Sequence, residues 1–181
     1  MCYSVGRDSP PDPMESRFEM EVRGMLARPP FGYRNVPADG LGLFCRALSH
    51  DSYTNEHGGE SYERLEFLGD AILEFVVCEA VYRDTDLAEG GMTDFKQDKV
   101  ANRMISERVR ARWPEMDAMM RVGGGHRDPV TGAPTIEDNM RADSFEAVLA
   151  AVYLTYGMDE VRRIVGEVIL TDDADMAGDA E

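Results

Sequence analysis

The stretch from Glu63 to Tyr82, E-R-L-E-F-L-G-D-A-I-L-E-F-V-V-C-E-A-V-Y, has the apolar period of an α-helix and sorts its acids onto one side. With Glu66 at zero and about 100° per residue, Leu65, Leu68, Ile72, Phe75 and Val76 fall between roughly 180° and 280°. Glu63, Glu66, Asp70 and Glu74 fall between roughly 0° and 80°. Like charges at i,i+3 and i,i+4 repel by about a few tenths of a kcal/mol per pair. No Lys or Arg lies on the stripe to relieve this. Two readings fit: a solvated face of an acidic protein, or a site completed by a cation, since hard divalent ions such as Mg²⁺ take carboxylate oxygens.

Two residues favour the second reading. Gly69 sits mid-helix, where it costs on the order of 1 kcal/mol against Ala, so the spacing predicts close passage of another segment. Phe67 lands at roughly 100°, beside the acids and away from the apolar arc. An aromatic there needs a second surface to bury it.

A second acidic helix is expected from Ala142 to Tyr156. Phe145, Val148, Leu149 and Val152 form its apolar face, and Asp143 and Glu146 lie opposite with Ala147 and Ala150 between them. Small residues let another helix come close, so this helix suits the first as a partner.

The other expected elements are helices over about 15–26, 39–48, 94–113 and 159–169, with loops at 51–61 and 122–142. Residues 1–13 read as a disordered leader, with Met14 an alternative start, and 171–181 as an acidic disordered tail. No alternating strand-length run occurs, so the fold class is all-α, about seven helices in one domain over 14–170. His50 is expected as a helix-end histidine bonded to backbone, and His126 as an exposed loop residue.

The formal net charge of −16 argues against a general attraction to nucleic acid. Five acids in the tail account for part, leaving about −11 for the rest. The most basic stretch holds Lys96, Lys99, Arg103, Arg108, Arg110 and Arg112. It is the candidate phosphate-contacting strip, with Lys96, Lys99 and Arg103 on one side. The three cysteines, Cys2, Cys45 and Cys78, lack Cys-x-x-Cys spacing, which fits a reducing compartment. With no signal-peptide pattern and no membrane-length apolar run, a cytoplasmic location without membrane association is expected.

E-R-L-E-F-L-G-D-A, residues 63–71, resembles the signature of the ribonuclease III family at all nine positions. D-S-F-E-A-V-L-A-A-V-Y-L from Asp143 resembles the family's second acidic motif, and L-F-C-R-A-L-S-H, ending at His50, the helix that precedes the signature. The resemblance spans roughly residues 41–170. It implies a homodimeric, double-stranded-RNA-specific endonuclease using Mg²⁺, with Mn²⁺ as a substitute, in two-metal phosphodiester hydrolysis. The implied products carry 5′-phosphate and 3′-hydroxyl ends with short 3′ overhangs, as in processing of ribosomal or other structured precursors. By resemblance Glu66, Asp70, Asp143 and Glu146 are metal ligands, with Asp70 and Glu146 central to catalysis. Glu63 matches an acid tied to substrate recognition and architecture. Glu89 matches one that reaches the site from the partner subunit, and Phe67 an aromatic knob at the dimer interface.

The eleven residues after Leu170 are too few for the double-stranded-RNA-binding domain of most family enzymes. A stand-alone nuclease domain is therefore expected, with a separate RNA-binding partner protein as one way of holding RNA. The competing expectation is a non-catalytic dimer of the same fold acting as a ribonucleoprotein scaffold. Loss of the motif acids would mark it, and all four are present. A helical di-iron protein would need Glu-x-x-His pairs, which this sequence lacks.

Overall fold

The structure, a computed structural model, describes residues 13–171, with side chains from residue 17. The leader before Pro13, the tail after Thr171 and Cys2 lie outside the described residues. Within them the fold is all-α, the extended backbone contributing only isolated bridges. The helices are α1 (Pro13–Leu26), α2 (Ala38–Ala47), α3 (Asp51–His57), α4 (Glu63–Asp84), α5 (Glu89–Val100), α6 (Asn102–Arg112), α7 (Met116–Met119), α8 (Asp138–Tyr156) and α9 (Met158–Val165). A short 3-10 turn spans Gly124–His126, and a π turn, Gly166–Leu170, closes α9.

Helix α8 is the centre. Every residue from Ser144 through Val152 is buried, as are Met140, Arg141 and Ala142 before them. A helix apolar on nearly every side belongs in a core, and α2, α4, α6 and α9 all pack on this one. Phe44, Leu73, Ile105, Trp113, Leu149 and Ile164 fill the space between them.

Four expectations change. The second acidic helix begins at Asp138 instead of Ala142, so the end of the expected 122–142 loop is helical. Residues 51–57 are helical, not loop: the segment buries none of its residues, so it carries no apolar period to read. The expected helix 94–113 is two helices, because Ala101 is extended at φ −67° and ψ 131°. The break lets α5 lie on α4 while α6 lies on α8, which one straight helix does not do. Phe75 is 51% exposed rather than core. The buried residues of α4 are Leu65, Gly69, Ile72, Leu73, Val76, Val77 and Val81. They centre near roughly 300° on the scale used above, which leaves Phe75 outside and brings the acid stripe to the edge of the α4–α8 contact.

Candidate metal centre

Glu66 stands closest to that edge and is half-buried. Across from it α8 presents Asp143, half-buried, and Glu146, only 5% exposed. Each offers a carboxylate oxygen within 4.8 Å of the other two. The approach depends on Gly69, whose backbone passes against that of Glu146.

The electrostatics follow from that crowding. Burial, then the charges of Asp70, Asp143 and Glu66, push Glu146 up to about 8 from an ordinary 4.5. Burial first, then Asp143, Glu63 and Asp70, raise Glu66, and burial raises Asp143. No cationic side chain offsets these shifts among the described residues. An all-oxygen, uncompensated donor set on two rigid helices fits a hard divalent cation.

Of the four ligands expected from the sequence, Asp70 is not in the converged trio. It is exposed one turn beyond Glu66 and acts on Glu146 through its charge. Glu74, at the far end of the stripe, is paired with Lys96 at 2.5 Å. Glu63 is exposed, accepts from Ser61 Oγ at 2.9 Å, and lines a cavity of about 260 Å³ with Arg46 and Arg64. Glu89 does not join the cluster of its own chain. It opens α5, accepts from Thr93 Oγ1 at 3.2 Å, and lines a groove of about 380 Å³ with Cys78, Tyr82 and Lys96.

The basic stretch does not make one exposed face. Lys99 is buried, its ammonium 5.3 Å above the Phe95 ring. Arg103 is exposed and paired with Glu107. Arg108 is buried and donates to the carbonyls of Ile169 and Thr171, the latter shared with Arg112. These two arginines hold down the end of the π turn that closes α9, where the last carbonyls lack partners within the turn.

His50 behaves as expected: its Nδ1 accepts from the Ser52 N–H at 3.1 Å, capping α3, and burial lowers its proton affinity. His126 is half-buried instead of exposed, its ring 5.2 Å from that of His50. Arg141 escaped sequence reasoning. It is buried on α8, bonded to both carboxylate oxygens of Asp117 at 2.7 and 2.5 Å, to Ser106 Oγ at 2.7 Å and to the Ile136 carbonyl at 3.1 Å. It anchors the helix start that carries Asp143. Its sequence neighbours Asp138, Asn139 and Asp143 are polar, so no local signal marks it as buried.

Phe67 is 83% exposed, and nothing among the described residues covers it. Phe75 and Tyr82, 51% and 75% exposed, continue on the same side of α4. Together they form an apolar stripe turned away from the core.

An all-α domain with carboxylates converging from two crossed helices is thus the class defined by fold and site. Residues 42–173 match the family model described as ribonuclease-III-like, and the chain belongs to that family. Ribonuclease 3 of Caldanaerobacter subterraneus is 37% identical over 126 residues, 68% of this chain and 53% of that protein. Ribonuclease 3 of Streptomyces coelicolor is 39% identical over 125 residues, 68% of this chain and 44% of that protein. The chain spans about half the length of these relatives. In fold it is similar to the nuclease domain of ribonuclease III from Campylobacter jejuni, with a TM-score of 0.63 at 20% identity over 83% of this chain and 98% of that one. In the Campylobacter protein, a region of the domain is involved in dimer formation.

Proposed function

We propose that this chain is a double-stranded-RNA endoribonuclease that works as a homodimer with Mg²⁺ held by Glu66, Asp143 and Glu146, and with Asp70 completing the ligand set. The observation that carries the reading is the convergence of three carboxylates from α4 and α8 within 4.8 Å, at positions matching the family's motifs. Divalent ions there supply activation of a water and stabilisation of charge on the phosphate oxygens. The chain's own part is to hold the carboxylates on rigid helices and to bury Glu146 away from bulk water. The exposed stripe of Phe67, Phe75 and Tyr82 supports a second copy as its cover. Glu89 would then serve the partner's site and Glu63 the substrate side. Of the three basic residues expected to meet RNA, Arg103 is the exposed one and would contact phosphate, while Lys96 is held by Glu74 and Lys99 is buried.

The test is the product of a long perfect RNA duplex incubated with the protein and Mg²⁺. Fragments with 5′-phosphate and 3′-hydroxyl ends and short 3′ overhangs are expected. Duplex that is bound but uncut would favour the scaffold reading, and equal cutting of single strands would remove the duplex specificity.

A further inference from the structure

The last carbonyls of a helix find no partners within it, and those ending α2 are all taken. Ser49 Oγ donates to the Cys45 carbonyl at 2.7 Å and the Ser49 N–H to that of Arg46 at 2.9 Å. The Ala47 carbonyl accepts from Ser144 Oγ at 2.7 Å. The Leu48 carbonyl accepts from the Arg121 N–H at 2.8 Å, and the Ser49 carbonyl from the Tyr62 N–H at 2.9 Å. Arg121 closes the bracket: its guanidinium donates twice to Ser49 Oγ, at 3.0 and 2.7 Å, and lies over the rings of Phe18 and Tyr53.

Both acidic helices hang from this bracket. Tyr62 precedes α4, and its carbonyl accepts from the Glu66 N–H at 2.9 Å. Ser144 follows Asp143 directly and lies two residues before Glu146. The carbonyls of Ala47 and Ser49, two residues apart, therefore tie down the backbone beside every member of the carboxylate trio.

We propose that Ser144 is a positioning residue for the carboxylate site: through the Ala47 carbonyl it fixes Asp143 and Glu146 against Glu66. The proposal rests on reading that site as a divalent-cation centre. Ser144 and Ala47 are both fully buried, so no water replaces the hydroxyl when it is removed, and the start of α8 loses its tie to α2. Groups that orient ligands from behind are typically worth about 10–100-fold in metal affinity.

The experiment is Mn²⁺ binding to the full chain without RNA, followed by electron paramagnetic resonance, with circular dichroism to report folding. Ser144→Ala is expected to weaken Mn²⁺ binding about tenfold or more. Ser144→Cys, of similar volume with a weaker donor, falls between it and wild type. Thr155→Val removes a hydroxyl-to-carbonyl bond of 2.7 Å near the other end of α8 and leaves Mn²⁺ affinity unchanged. Wild-type affinity in folded Ser144→Ala, or an equal loss in Thr155→Val, overturns the proposal. If Ser144→Ala does not fold, Ser144→Cys decides, and unchanged affinity there overturns it too. A wild-type protein that binds no Mn²⁺ defeats the cation-centre reading and the proposal together; wild-type binding matched by Ser144→Ala defeats the positioning role alone.

Discussion

Gly69 and Glu146 meet where the two acidic helices cross: a Cβ on Gly69 would stand 1.8 Å from the Glu146 carbonyl oxygen and 2.4 Å from its carbon. The missing methyl sets how closely α4 approaches α8, and that approach sets the distance from Glu66 to Glu146. The neighbour is the backbone of a buried helix, which has no rotamer to turn aside. Gly69→Ala gains about 1 kcal/mol of helix propensity but must part the helices. Overpacking typically costs about 1–3 kcal/mol, and a backbone clash lies at or beyond the upper end. Gly69→Ala is expected to melt several degrees lower and to lose divalent-ion binding, read by calorimetry and Mn²⁺ titration. Melting at the wild-type temperature would contradict the crossing described here.

The raised proton affinity of Glu146 gives stability a definite pH dependence in chelator. Its folded-state value of about 8 lies above its ordinary 4.5, so between those values the native state holds a proton that the unfolded chain has lost. Stability from this group is full below about 4.5 and falls as pH rises through 8. The slope is on the order of 1 kcal/mol per pH unit at most. Glu66 and Asp143, shifted the same way, add to the fall. Glu146→Gln keeps the volume, removes the charge and flattens the profile. Urea melts across this range in chelator check it; a wild-type stability that climbs from acid to neutral pH as steeply as the variant's would refute the assignment.

Much of the site is legible in the sequence because its constraints are local. The acid stripe on α4, the glycine inside it and the Asp143–Glu146 pair are spacings along single helices, and the resemblance to the family joins them. What escaped depends on contacts between segments. Helix α3 has no apolar face, and its cap is the His50 ring, a residue that seldom announces a helix start. The break at Ala101 carries neither Gly nor Pro, and the cause is packing of α5 and α6 on different helices. Lys99, Arg108 and Arg112 read as a cationic strip, yet the arginines bind carbonyls after α9 and Lys99 lies over an aromatic ring. Asp70 shares the stripe with Glu66 but sits further round the helix from α8 and stays exposed.

Phe67 is expected to hold two copies together. Replacing it with Asp puts a charge where an apolar socket would close, and burying an unpaired charge is strongly unfavourable. Phe67→Asp should sediment as a monomer at concentrations where wild type is a dimer, with an unchanged circular dichroism spectrum because the side chain is 83% exposed. A mutant that remains dimeric with the same affinity would place the interface elsewhere.

The most direct test is the rate of duplex RNA cleavage as Mg²⁺ is titrated into chelator-treated protein, for wild type beside Glu146→Gln. Cleavage that is absent in chelator, rises and saturates with Mg²⁺, and is lost in Glu146→Gln while duplex binding and dimerisation persist, is the predicted result. Cleavage undiminished in chelator, or a Glu146→Gln rate within about tenfold of wild type, where a tenfold change is about 1.4 kcal/mol of barrier, would contradict the assignment of the carboxylates on α4 and α8 as the catalytic metal centre.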